Sequence, residues 1–254
     1  MKVDCLVLKV GIRGIDNQSI ALAKHLGINY KVMNINVNPL LKYFPVLGNL
    51  FGKCFYNSFK ILENHEFRFI ITTGKRLSGV SVVLKQKYNK KIINLHIQKP
   101  PFLSDNFDVL VIPEHDNFNP KNYNVKIIGS LSFFKEEEVK KKFQPIKTIF
   151  KNFKSPNILL LLGGKNKRYS PTFTDYINLM LNVKKTAEQI SGNVIICPSR
   201  RTCIKVPYLA SLIFNNFKFK KYIHSNEKID IYPGILNISD YVIVTSDSVN
   251  MISE

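Results

Sequence analysis

The sequence predicts an α/β protein of two doubly wound lobes, and three observations carry that expectation. Short β-rich apolar runs alternate with segments of helical apolar spacing along most of the 254 residues. The alternation runs twice, and a charged, proline-broken stretch from Phe133 to Ser155 separates the two runs. Apolar runs such as Ile158–Leu162 have the length of a buried strand and are far too short to span a bilayer.

The first lobe opens with a strand at Val3–Val10, then Gly11-Ile12-Arg13-Gly14. Asp16 or Asn17 is expected to cap the next helix, whose apolar positions are Ile20, Ala23 and Leu26. Tyr30–Val37 is a second strand, a helix closes at Ile61-Leu62, and Phe67–Thr72 is a third strand. Val80–Tyr88 lies in the following helix, and Lys91–Ile97, Asp108–Ile112 and Val125–Ile128 are further strands. Strands that alternate with helices pair in parallel through right-handed crossovers.

Lys135–Lys142 carries opposite charges offset by three to four residues, which suits an exposed helix. Pro145 and Pro156 break the pattern there, so the boundary is set between residues 1–150 and 151–254. The second lobe then runs as strand Asn157–Leu162, Gly163-Gly164, helix Thr174–Ile190 and strand Asn193–Cys197. A helix at Val206–Phe214, a strand at Lys221–Ile223, a short helix around Ile235 and a strand at Tyr241–Val244 follow. A last helix starts at about Val249, and with so few residues after the last strand this lobe is expected to be incomplete, a C-terminally truncated copy of its type.

A hydrophobic share of 45% with 22% charged residues excludes disorder and collagen-like structure. Asp4 and Lys9 interrupt the only stretch that resembles a signal peptide. Cys5, Cys54, Cys197 and Cys203 show neither CxxC pairing nor His at ligand spacing, so idle thiols in a reducing, cytoplasmic compartment are expected, with no metal site. The net charge of +19 favours acidic partners: phosphorylated metabolites, anionic lipid or nucleic acid. Zinc-finger spacing, aromatic RNA-binding signatures and a helix-turn-helix are all missing, so nucleic acid is the weakest of these. The chain is also rich in Lys, Asn and Ile together, a mix that coding drift produces without any partner.

In open parallel sheets ligands gather outside the carboxyl ends of the strands. Gly163-Gly164, beside Lys165, Lys167 and Arg168, lets backbone N–H groups approach a phosphate, although tight turns use paired glycines freely. Arg200-Arg201-Thr202 follows a strand and offers bidentate donors to a diphosphate, or else forms a solvated turn. Ser246, Asp247 and Ser248 follow the last strand, where small side chains leave N–H groups for an anion and Ser248 is also a plain helix cap. In the first lobe, His96, His115 and Asp116 sit at strand ends and are the candidate acid–base groups, each His having an ordinary structural reading as well. Pro39–Lys53, aromatic and leucine-rich with interspersed lysines, reads either as a membrane-surface contact or as packing on the sheet.

These loops together resemble the mitochondrial-fission "elongated mitochondria" family. The segments that carry the resemblance, in order, are Asp16-Asn17-Gln18, Thr72-Thr73-Gly74-Lys75-Arg76, His96-Ile97-Gln98-Lys99-Pro100, Val111–Asp116, Gly129-Ser130, Leu162-Gly163-Gly164, Ser199-Arg200-Arg201-Thr202 and Thr245–Glu254. The proline of Tyr232-Pro233-Gly234 is displaced from the family's Asn-Pro-Tyr motif. The resemblance implies two Rossmann-like lobes of GT-B-like build, with the donor nucleotide in the second and the acceptor at the first. It further implies Ser246 and Ser248 as phosphate contacts and Glu254 as a ribose contact.

The function expected is sugar transfer from a nucleotide-diphosphate donor, with a lipid-linked molecule among the acceptors. Gly163, Gly164, Arg200, Arg201, Thr202, Ser246, Asp247, Ser248 and Glu254 would hold the donor, and no dinucleotide cofactor or metal is required. The alternatives are a non-catalytic scaffold, peripheral on the inner face of an anionic membrane, or an inactive truncated product.

Overall fold

The computed structural model describes residues 4–36, 40, 44, 67–88, 91–101, 104–118, 123–166, 168–225 and 231–254. Most of Pro39–Lys53 and the helix end at Ile61-Leu62 lie outside them. The chain divides into two compact units: residues up to Phe133 together with Ser253–Glu254, and Phe134–Ile252.

The first unit contains β1 (Cys5–Lys9), α1 (Arg13–His25), β2 (Tyr30–Asn34), β3 (Phe69–Thr73), α2 (Lys75–Lys87), β4 (Ile93–Ile97), β5 (Val109–Pro113) and β6 (Asn124–Ile127). Its strands form one parallel sheet in the order β2-β1-β3-β4-β5-β6. Side chains alternate across a strand, so each face of this sheet has its own core. Leu6, Leu8, Met33 and Ile70 pack with Leu77, Val80 and Leu84 of α2. Cys5, Val7, Ile71, Leu95 and Ile97 pack with Ala23 of α1.

The expected cap of α1 is corrected. The helix begins at Arg13, after an extended Ile12 that makes no side-chain cap. Asp16 lies inside the helix, 2% exposed, and its Oδ1 accepts the Val10 N–H at 3.0 Å. The carboxylate therefore ties the helix back to the end of β1, and Gly11 makes the turn between them at φ +78°. The expected helical stretch Val80–Tyr88 falls in α2 as far as its C-cap Tyr88, and α2 starts at Lys75 because Gly74 turns the chain at φ +80° directly after β3.

The second unit contains α3 (Glu136–Phe143), β7 (Asn157–Leu162), α4 (Phe173–Gln189), β8 (Asn193–Pro198), α5 (Lys205–Ile213), β9 (Lys221–Ile223), β10 (Tyr241–Val244) and, as far as Ile252, α6 (Val249–Ser253). The sheet is parallel, ordered β10-β7-β8-β9. One face, Ile158, Leu160, Leu162, Val194 and Ile196, meets Met180 and Val183 of α4 and Val206 and Ala210 of α5. The other face, Leu159, Leu161 and Ile195, is covered by Phe143, Ile146, Phe150, Ile231 and Ile235. That second cover explains why the division falls ahead of residue 150: Phe143, Ile146 and Phe150 have their apolar partners on the second sheet. Among the described residues no helix is long and apolar enough to cross a membrane.

Candidate functional site

In the second unit β8 and β9 lie to one side of β7 and β10 to the other, so the winding reverses between β7 and β10. Loops leaving the carboxyl ends of two such strands part in opposite directions and open a crevice. Gly163-Gly164 leaves β7 at this point and Thr245–Asp247 leaves β10. A pocket of about 280 Å³ lies here. Its walls are Tyr169, Ser170 and Pro171 ahead of α4, Asp175 and Tyr176 on α4, and Thr245, Ser246 and Asp247.

Asp247 organises the crevice. Its side chain is 7% exposed and sits 3.0 Å from the Arg201 guanidinium. One carboxylate oxygen accepts the Gly164 N–H at 3.0 Å, and the other accepts the Thr245 hydroxyl at 2.6 Å. Thr245 Oγ1 in turn accepts the Gly163 N–H at 2.7 Å. Asn166 donates through Nδ2 to the Asp247 carbonyl at 2.9 Å, while its Oδ1 accepts the N–H groups of Arg168 and Tyr169. A buried carboxylate is retained when it is paired and hydrogen-bonded, and Asp247 has both.

This network gives the glycine pair a different role from the one expected. The N–H groups of Gly163 and Gly164, expected to face a phosphate, are taken by Thr245 and Asp247. Both residues are buried, and a Cβ on Gly163 would collide with the Asp247 carboxylate, one on Gly164 with the Arg201 carbonyl. Glycine is needed for the close approach of three loops. Thr202 closes the same knot: its Oγ1 lies 2.8 Å from the carbonyls of Leu162 and Gly163 and accepts the Ser199 N–H at 2.9 Å. The Tyr176 hydroxyl donates to the Gly163 carbonyl at 2.9 Å, and burial, then the Asp247 charge, raises its pKa.

The expected site residues thus fall into three groups. Gly163, Gly164, Arg201, Thr202 and Asp247 come together in one hydrogen-bonded knot. Ser246 lines the pocket and is exposed, Arg200 is exposed on the turn after β8, and Ser248 is half-buried. Glu254 groups with the first unit and does not line the pocket. Ser170, Asp175 and Tyr176 are the pocket residues that sequence reasoning passed over. Thr245, at the head of Thr245–Glu254, and Asn166 and Tyr169, in the loop after β7, lay in stretches already singled out and so carried a usable signal, though none had a role of its own. Asp175 carried another: it forms a capping box with Thr172, whose backbone and hydroxyl donate to the carboxylate and lower its pKa.

In the first unit, His115 and Asp116 occupy a short turn after β5, with Nε2 of His115 3.9 Å from Oδ1 of Asp116. His96 is different. It is fully buried on β4, its Nδ1 lies 2.8 Å from Thr72 Oγ1, and its ring rests against Phe107 at 4.8 Å. Nε2 has no hydrogen-bond partner among the described residues. Burial drives its pKa down to about 3, so the ring stays neutral. The expectation of His96 as a base open to an acceptor is corrected on that ground: Phe107 and the sheet cover it. Among the described residues no group of three or more His, Cys, Asp and Glu side chains is placed to hold a metal ion.

The family model described as mitochondrial fission ELM1 matches residues 13–254. No curated protein matches the chain. Among solved structures, the S. aureus MnaA–UDP co-structure is similar with a TM-score of 0.51 at 11% identity, over 97% of this chain and 74% of that one. At that identity the likeness concerns the fold, and it agrees with the two doubly wound, Rossmann-like units described above. The chain belongs to the mitochondrial fission ELM1 family and has a GT-B-like α/β fold.

Proposed function

We propose that the protein binds a nucleotide-diphosphate sugar in the pocket outside β7 and β10 and transfers the sugar to an acceptor hydroxyl. The observation that carries this reading is the position of that pocket at the reversal of strand order, where open parallel sheets take up nucleotides. The similar S. aureus MnaA structure is a co-structure with UDP, which supports the same ligand class.

The half-exposed ring of Tyr169 offers a face for a base, and Asp175 an acceptor for ribose hydroxyls. Ser246, Ser248, Arg200 and the outer edge of Arg201 are the donors for the diphosphate. Gly163, Gly164, Thr202 and Asp247 shape the niche and aim Arg201. In the transfer, the acceptor hydroxyl gives its proton to the base and its oxygen forms a bond to the anomeric carbon. The bond from that carbon to the phosphate breaks, and the nucleoside diphosphate leaves with the electron pair, stabilised by arginine. His115, with Asp116 beside it, is the base in this reading. A lipid-linked acceptor and a place on the cytoplasmic face of a membrane go with it.

Calorimetric titration with UDP, GDP and their sugars, at protein concentrations able to detect millimolar binding, tests the proposal. Binding of at least one, weakened about ten- to hundredfold by Arg200→Ala, is expected, since a charged hydrogen bond is worth roughly 1.5–3 kcal/mol. No heat from any of the four ligands overturns it.

A further inference from the structure

We infer that the outward face of α5 is a docking surface for an anionic lipid bilayer. Helix α5 turns Val206 and Ala210 into the core of the second unit. The residues four apart on its other side are apolar too: Ile204 is 90% exposed, Tyr208 68% and Leu212 55%. Positions i, i+4 and i+8 stack along one side of a helix, so the three form a continuous ridge of roughly 12 Å at 1.5 Å per residue. Isolated exposed apolar residues are ordinary, but an aligned row of three large ones is not.

The surroundings of the ridge select the partner. From Gln189 to Asn226 the sequence holds no Asp or Glu, while Arg200, Arg201, Lys205, Lys218, Lys220 and Lys221 all fall in that span. Lys205 stands at the amino end of the ridge, and Lys218 and Lys220 follow its carboxyl end; all three are exposed. On the neighbouring α4 the acidic residues are Asp175 and Glu188, against Lys184 and Lys185. An apolar ridge with cations at both ends is complementary to an acyl boundary beneath anionic headgroups. Each basic residue near such a surface contributes on the order of 1 kcal/mol. A second copy of the chain is a poor occupant, because a net charge of +19 on each would repel across the contact.

This docking does not depend on the nucleotide pocket, since Ile204, Tyr208 and Leu212 do not line it. The test is flotation of the full chain with vesicles of phosphatidylcholine alone or mixed with phosphatidylglycerol. Binding to the mixed vesicles only is expected, and it should fall as salt rises from about 0.1 to about 1 M, where the screening length shrinks from roughly 10 to 3 Å. The triple variant I204S/Y208S/L212S should lose about tenfold or more in partitioning with an unchanged circular dichroism melt. K205E/K218E/K220E should lose it as well. Absence of flotation at low salt, or equal flotation of wild type and both triple variants, overturns the proposal. So does a dimer seen by light scattering that the serine variant abolishes, which would make the ridge a self-contact. Nucleotide calorimetry on I204S/Y208S/L212S matching wild type separates a failure here from a failure of the donor reading.

Discussion

Replacing Asp247 by alanine removes the acceptor shared by Gly164 N–H, Thr245 Oγ1 and Arg201. The three losses are unequal. The Gly164 N–H is buried and would be left without a partner, which costs about 1–3 kcal/mol. The Thr245 hydroxyl is half-buried and loses an ordinary hydrogen bond, about 1 kcal/mol. Arg201 is 39% exposed, so water replaces much of what the carboxylate gave and the ion pair adds at most about 1 kcal/mol. The expected destabilisation of the second unit is thus about 3 kcal/mol. With a urea dependence of roughly 1–3 kcal/mol per molar, the midpoint should fall by about 1–3 M. Urea unfolding followed by circular dichroism measures this, with Ser246→Ala, an exposed neighbour, as a control that stays within about 0.5 kcal/mol. A midpoint within about 0.3 M of wild type would show Asp247 to be a solvated loop residue and would remove the physical basis of the niche.

His96→Leu should flatten the acid limb of stability. The folded pKa, about 3, lies below the ordinary 6.5, so the unfolded chain binds the proton first as pH falls. Wild-type stability from this group is complete above pH 6.5 and declines at up to about 1.4 kcal/mol per unit towards pH 3. Identical pH profiles for variant and wild type would refute the burial argument. Gly164→Ala should destabilise by about 1–3 kcal/mol or more, because backbone atoms of Arg201 and Thr202 stand where the new methyl must go; a thermal melt reads it. Thr172→Ala, which opens the capping box of α4, should cost about 1 kcal/mol in the same assay.

Strand identity and parallel pairing were legible in the sequence, because runs such as Ile158–Leu162 are apolar at every position, as a strand covered on both faces must be. The cap of α1 was not. Asp16 looks like an N-cap by spacing, and only the fold reveals that its carboxylate reaches six residues back to the end of β1. The glycine pair was legible as a place of close approach, but the group that approaches is Asp247, 83 residues away. The same limit governs His96. Alternation along Ile93–Ile97 marks a buried strand, yet the lid on the imidazole is Phe107, contributed by the segment before β5. Phe143, Ile146 and Phe150 were readable as apolar residues in a charged stretch, whereas the sheet they cover is a matter of packing.

The placement of β10 beside β7 also governs when the crevice can come into being. Gly163 and Thr245, which share a hydrogen bond, are 82 residues apart, so everything between them must be synthesised before either finds the other. Pairings this distant are slow to form, since loop closure has to precede any gain from them. Until Tyr241–Val244 emerges from the ribosome, one edge of β7 lies unpaired, with a row of bare leucine backbone open to other chains. Expression at lower temperature, or with chaperones present, should therefore raise the soluble yield most for variants that weaken β10.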